Sequence, residues 1–169
     1  MATGKYCIIT EDVILGKDVV IRAFVNLYGC KIGRDSRIGT FVEVQENTTV
    51  GNRVRIQSHS FICSNVIIED DVFIGHNVSF INDRYPTSKK AEDKTWKVEN
   101  TVVRRGASIG TGAVIMCGVE IGEGAIVGAG SVVIHNVASH SVVAGVPAKI
   151  LRTLPQDDLG LGEGTDVNS

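Results

Sequence analysis

The sequence predicts an all-β solenoid, in which short strands and tight turns wind into stacked coils. Two observations carry this expectation. The first is a beat of six residues. Stepping by six from Ile32 gives Ile38, Val44, Val50, Ile56, Ile62, Ile68, Ile74 and Phe80, all of them apolar. Four places after the first eight of these come Ser36, Val42, Thr48, Val54, Ser60, Val66, Val72 and Val78, all small or β-branched. The second is composition. There are 19 Gly and 3 Pro, and the 43% of hydrophobic residues contain few aromatics, 5% of the chain. That suits an aliphatic core of strands separated by turns, not helices. A period of six matches neither the 3.6 of an α-helix nor simple alternation. It fits a large aliphatic pointing inward, a small residue filling the corner beside it, and Gly or Asn permitting the turn.

Residues 1–8 read as a short lead-in strand or cap, because the end of a solenoid exposes unpaired strand edges. Ile9, Leu15, Ile21 and Leu27 then join the beat, with one residue lost before Ile32. The long run from Ile32 ends at Phe80, where VSFINDRYPTSKK interrupts it. The beat returns as Val103, Ile109, Ile115, Ile121, Val127 and Val133. After Arg152 the segment TLPQDDLGLGEGTDVNS loses the period and turns acidic and Gly-rich. It reads as a tail, 153–169, with a short turn or helix and then disorder, behind a single domain of residues 1–152.

The formal net charge of -2 gives no general pull toward nucleic acid. No apolar run approaches the roughly 20 residues of a membrane span, so no membrane partner is expected. Cys7, Cys30, Cys63 and Cys117 lie far apart without metal-ligand spacing. With no secretory h-region after Met1, they point to a reducing cytoplasm. No nucleophile elbow, phosphate loop or metal cluster is present.

The motif [LIV]-G-x-x-[STAV]-x, in about twenty nearly consecutive copies, resembles that of the left-handed parallel β-helix acyltransferases over about residues 8–152. The resemblance implies triangular coils of 18 residues, a left-handed winding, and homotrimers with active sites between neighbouring prisms. With that coil length, the 35 residues from Ile74 to Ile109 hold one coil and a 17-residue insertion, a loop over about 82–101. Turns then stack on three corners. One carries Ser58–His59, His76–Asn77, Thr111–Gly112, Ala129–Gly130 and Pro147–Ala148. A second carries Ser64–Asn65, the loop from Asn82, Cys117–Gly118 and His135–Asn136. A third carries Asp70–Asp71, Arg105–Gly106 and Glu123–Gly124.

The C-terminal half, SIGTGAVIMCGVEIGEGAIVGAGSVV with VVAGVPAKILR, resembles the acetyl-CoA-binding end of the family. The resemblance assigns Thr111, Gly112, Cys117, Gly118, Ala129, Gly130, Lys149 and Arg152 to the co-substrate, with no metal. Small turn residues let backbone amides approach a pantetheine arm, and Lys149 and Arg152 face the adenosine phosphates. The alternative is that the Gly and Ala residues only make turns.

GHNVSFINDRYP is similar to the corresponding segment of nucleotide-linked amino-sugar N-acetyltransferases, in particular those acting on a 3-amino sugar for bacterial surface polysaccharides (lipopolysaccharide and O-antigen). By that resemblance Asn82 and Asp83 face the sugar, Arg84 approaches phosphates or a carboxylate, and Tyr85 and His59 line the substrate site. The competing reading of Asn82 and Asp83 is an Asx-type turn stiffened by Pro86. His76 is a candidate general base, or merely lines the cleft if a neutral amine attacks the thioester directly. Cys117 reads as a turn residue more than as a nucleophile. Trp96 either stacks on a nucleotide base or packs the loop on a neighbour. The expected function is acetyl-CoA-dependent N-acetylation of a UDP- or dTDP-linked amino sugar. The alternatives are a sugar O-acetyltransferase using His76, or a β-helix of γ-carbonic-anhydrase type.

Overall fold

The computed structural model describes residues 2–93 and 95–155. Strands of two to five residues lie in three sheets, of nine, seven and six strands. The first face begins with Ala2–Thr3, Val20–Ile21, Arg37–Ile38 and Arg55–Ile56, and continues through Phe73–Ile74, Ser108–Ile109 and Ile126–Val127. The second face includes Phe61–Ile62, Ser79–Phe80 and Val114–Ile115; the third includes Thr49–Val50, Val66–Ile68 and Thr101–Val103. Each strand pairs in parallel with the one a coil away, so neighbouring coils share their backbone hydrogen bonds. The expected lead-in strand is Ala2–Thr3, already a full rung against Val20–Ile21.

Register reports the coil length directly. Arg55 faces Phe73, a step of 18. Ile14 faces Lys31 and Asn26 faces Glu43, steps of 17, which put the lost residue at the Tyr28–Gly29 turn. Val66 faces Thr101, Phe73 faces Ser108 and Ser79 faces Val114, steps of 35. The insertion is therefore 17 residues at one turn, and the coils close up around it. Thr101 already belongs to a strand and is buried, so the loop ends at Asn100 and not at 101. It holds the one short helix, α1 (Ser88–Asp93), started by Thr87, whose Oγ1 accepts from Lys90 N at 3.2 Å.

The last coil departs from the sequence arithmetic. Ile126 faces Val142 and Ile121 bridges Val137, steps of 16. Pro147–Ala148 therefore falls two residues past the corner expected for it. The chain instead doubles back, and Lys149–Thr153 runs antiparallel to Ser141–Ala144. The GVPAKILR segment is a closing hairpin and not a further coil, and it carries strand structure to Thr153. The expected disordered tail lies outside the described residues from 156 onward.

Inward positions form one aliphatic column; Ile38, Ile62, Ile74, Phe80, Ile109, Ile115 and Ile121 are fully buried. The small positions do more than fill space. Ser60 Oγ donates to Gly75 O at 2.8 Å and accepts from Val78 N at 3.2 Å. Ser36 makes the same pair of bonds to Gly51 O and Val54 N. These hydroxyls staple one coil to the next.

Each corner repeats a left-handed backbone residue, and the three corners fill it differently. The third uses Asp18, Asp35, Arg53 and Asp71, then Gly106 and Gly124. The second uses Gly29, Asn47, Asn65 and Gly118. The first uses Tyr6, Phe24, Phe41, His59 and Asn77, then Gly112 and Gly130. The four rings of the first corner stack on one another at centroid spacings of 5.1, 5.0 and 4.8 Å, ending at His59.

Candidate active site

Two neighbourhoods hold the residues singled out in the sequence. The first is the first corner. Asn77 N donates to Ser58 O, Gly112 N to His76 O and Gly130 N to Thr111 O, at 3.1, 2.8 and 2.8 Å. Ser58–His59, His76–Asn77, Thr111–Gly112 and Ala129–Gly130 are thus consecutive rungs, as the coil arithmetic requires. His59, His76, Thr111, Gly112, Ala129 and Gly130 are all exposed. At Gly112 and Gly130 φ is +72 and +67; a Cβ would meet only Gly130 N, at 4.0 Å, from Gly112, and open space from Gly130. Beyond His76 the corner is therefore a bare backbone ridge. Its ring makes no hydrogen bond among the described residues, so nothing fixes it as a base. The His59 ring packs against Phe41 at 4.8 Å.

The second neighbourhood is the loop, on the second corner. Residues of the loop and of the turns beneath it enclose a cleft of about 370 Å³. Asn82, Asp83, Pro86 and Trp96 form its loop side; Tyr28, Gln45, Glu46 and Ser64 form its floor. Asn82 Nδ2 donates to Ser64 Oγ at 3.1 Å. Asp83 Oδ1 accepts from Tyr85 N at 2.8 Å, an Asx turn that leaves Oδ2 for another partner. Tyr28 donates to Glu43 Oε1 at 2.9 Å; burial first, then this carboxylate, raises its phenol to about 12, so it remains a donor. With Glu46 and Asp83 in its walls, the cleft favours a cation. Trp96 Nε1 is buried without a hydrogen-bond partner among the described residues, an uncommon condition for a native donor. Trp96 thus belongs to the cleft wall, a role the sequence alone left open.

Arg84 is committed elsewhere. Its Nη2 donates to Cys117 O at 2.9 Å and lies 3.5 Å from Glu99 Oε2, pinning both arms of the loop to the following coil. Tyr85 points to solvent, and its carbonyl accepts from Lys90 Nζ at 2.9 Å. Cys117 is buried, and burial, then the nearby Glu99, raises its thiol above the ordinary value. It lies at a turn and keeps its proton at neutral pH. A side chain at Gly118 would run into Glu99, so the loop roofs that turn.

The turn residues assigned to the co-substrate thus fall on two corners, as the coil count already placed them. Thr111, Gly112, Ala129 and Gly130 share the first corner with His76. Cys117 and Gly118 share the second with Asn82 and Asp83. Lys149 and Arg152 are exposed on the closing strand. Residues missed from sequence are Tyr28, Gln45 and Glu46. They come from turns below Ser64 and could have been found by stepping back two and three coils from Asn82.

Comparison with known proteins fits this architecture. The family model for the bacterial transferase hexapeptide (six repeats) matches residues 29–64 and 100–135. A serine acetyltransferase from Buchnera aphidicola is 36% identical over 67 residues, 40% of this chain and 26% of that protein. A 2,3,4,5-tetrahydropyridine-2,6-dicarboxylate N-acetyltransferase from Enterococcus faecalis is 47% identical over 57 residues, 34% of this chain and 22% of that protein. The chain thus spans about a quarter of the length of these curated relatives. Among solved structures, a hexapeptide-repeat acetyltransferase from Vibrio cholerae, complexed with acetyl coenzyme A, superposes with a TM-score of 0.67 at 25% identity, over 76% of this chain and 73% of the other. A mutant of AntD, an N-acyltransferase from Bacillus cereus, has the same fold, with a TM-score of 0.76 at 22% identity over 85% and 84% of the two chains.

Proposed function

For a chain that carries the hexapeptide repeat of bacterial transferases and winds into a β-solenoid, we infer an acetyl-CoA-dependent N-acetyltransferase that acts on a nucleotide-linked amino sugar, with a 3-amino sugar of surface-polysaccharide synthesis as the expected acceptor. The observation that carries it is the bare ridge on the first corner, where His76 is followed by two glycine turns facing open space. An extended pantetheine arm can lie along such a ridge, because the glycines place no side chain in its path. Support comes from the Vibrio cholerae relative, whose structure holds acetyl coenzyme A. Lys149 and Arg152, exposed on the closing strand, suit the adenosine phosphates.

The acceptor follows from the cleft under the loop. Glu46 and Asp83 give an ammonium group an anionic wall, and Trp96 and Pro86 suit the apolar face of a sugar ring. The ammonium gives one proton to solvent, and the nitrogen of the resulting neutral amine attacks the thioester carbonyl carbon. The C–S bond then breaks, the amide forms, and the departing thiolate takes the second proton from the nitrogen and leaves as a thiol. The exposed, unoriented His76 favours direct attack by the neutral amine over base catalysis.

His76 and the Asn82–Asp83 pair lie on different corners of one chain. The proposed site is therefore completed between copies, the loop of one facing the first corner of the next, in a homotrimer. Incubation with acetyl-CoA and a panel of UDP- and dTDP-amino sugars, following thiol release, tests the function. Acetylation of a nucleotide amino sugar is the expected result; no thiol release with any amine, or no binding of acetyl-CoA, overturns it.

A further inference from the structure

The first face carries a second groove that the proposed site leaves unused. It measures about 400 Å³ and is lined by Arg22, Arg37 and Arg55 from successive coils, with Gly39, Thr40 and Ser58 among its other walls. None of its lining residues is acidic. Arg37 and Arg55 are register partners on adjacent parallel strands, where like charges repel. Of the other arginines, Arg34, Arg53, Arg84 and Arg104 pair with carboxylates, whereas Arg105 and Arg152 enter no salt bridge among the described residues. Arg104 sits between Glu69 and Glu120, at 2.9 Å from each, and Arg53 bonds Asp71 at 2.6 Å and lies 3.4 Å from Asp70. Among the described residues, none of the three groove arginines enters a salt bridge. Arg55 is instead steadied by Nη1 donating to Asp35 O at 2.8 Å, which fixes the fork and leaves its remaining donors free. Three guanidinium groups without a carboxylate, around one concavity, make a site for a doubly charged phosphate group.

The aromatic ladder borders the same groove. Thr40 and Ser58 in its lining directly precede Phe41 and His59 in their turns. Phe24 and Phe41 are about half exposed and hold φ at 59 and 60, a backbone region that bulky residues avoid. Neither burial nor backbone preference accounts for them. The rings cover one another's faces, so the ladder presents a run of aromatic edges beside paired arginines, an apolar wall for a nucleobase next to its phosphates.

We propose that this groove binds the diphosphate of a nucleotide-linked acceptor, with Arg22, Arg37 and Arg55 on the phosphate oxygens and the Phe24–Phe41–His59 rings beside the base. The acceptor's identity rests on the acetyl transfer proposed above. The placement is coherent along the corner. Ser58–His59 stacks directly beneath His76–Asn77, so a sugar joined to a diphosphate in the groove reaches the turn of His76. The pantetheine arm reaches that turn from Gly112 and Gly130. The two nucleotides then lie at opposite ends of one ridge, and their reacting groups meet between them.

Calorimetric titration of UDP, dTDP, inorganic pyrophosphate and CoA into the wild-type protein, Arg37→Gln and Arg55→Gln tests the assignment. UDP or dTDP should bind the wild type, pyrophosphate should compete, and each variant should weaken nucleotide binding by about tenfold or more, with CoA affinity and thermal midpoint held. Arg37→Lys, which keeps the charge but loses the fork, should recover part of the loss. Equal nucleotide affinity in wild type and variants overturns the proposal, as does loss of CoA affinity alone, which would give the groove to CoA. Failure of any nucleoside diphosphate to bind the wild type also overturns it. Failure of CoA to bind the wild type is a different outcome, and sinks the acetyltransferase function itself.

Discussion

Asp83 and His76 are the residues whose replacement separates the two chemistries open to this fold. Under direct amine attack, His76→Ala lowers turnover by less than about tenfold, because no proton transfer depends on the ring. A loss near a thousandfold would instead mark base-dependent transfer to a hydroxyl. Asp83→Ala is expected to lower kcat/KM for the amino sugar by about a hundredfold while the KM for acetyl-CoA holds, which steady-state kinetics reads directly. Residue identity was legible here to differing depth. N-D-x-Y-P marked Asn82 and Asp83, and the Asx turn at Asp83 was among the alternatives weighed. The partner of Arg84 was not legible. Its acceptor is the carbonyl of Cys117, 33 positions away, and a carbonyl carries no residue signature.

At the scale of elements, the repeat was the most readable feature, because each coil must present the same inward aliphatic to the same column. Ile74→Ala should cost about 2–5 kcal/mol in urea unfolding, since the cavity opens inside a column that cannot collapse around it. The staples were hidden inside that regularity. Ser60 counts as merely small in the repeat, yet it bonds two coils. Ser60→Ala leaves Val78 N and Gly75 O without that partner, and should cost about 1–2 kcal/mol by the same measurement, whereas Val42→Ala should not expose a polar group. The loop was legible as an interruption of 17 residues at one turn. Its helix was not, because six residues contribute too little period, although Thr87 before Ser88 is a readable cap. Arg84→Ala should release both arms of the loop from the following coil, seen as faster proteolytic cleavage between residues 84 and 99 with the solenoid intact.

The whole molecule is a stack in which each coil contacts only its neighbours, so stability adds along the axis. The third corner contributes a pH dependence. Hydrogen bonds from Asn52 backbone and side chain, then Arg53 nearby, hold the Asp70 carboxyl below its ordinary value of 3.8. A depressed carboxylate contributes stability that is fully present above that value and lost as pH falls through the lower, folded-state value. Asp70→Asn should therefore lower stability near neutrality, where the ionised carboxylate contributes in full, and flatten the acid limb below pH 3.8, where the wild type loses that contribution. The beat of six, the apolar inward set and the missing residue before Ile32, together with the coil length that the resemblance implies, determined the register and the corner of each turn up to Gly130. Those are periodic properties, and a period can be counted along a chain. Only the folded structure decided that GVPAKILR turns back as an antiparallel strand, that Arg84 clamps the loop, and that Trp96 folds over the turns of Tyr28, Gln45 and Glu46. It alone also set Arg22, Arg37 and Arg55 around one concavity. The reason is that these features depend on where long side chains and an aperiodic segment turn, and a count along the chain fixes corners but not those directions.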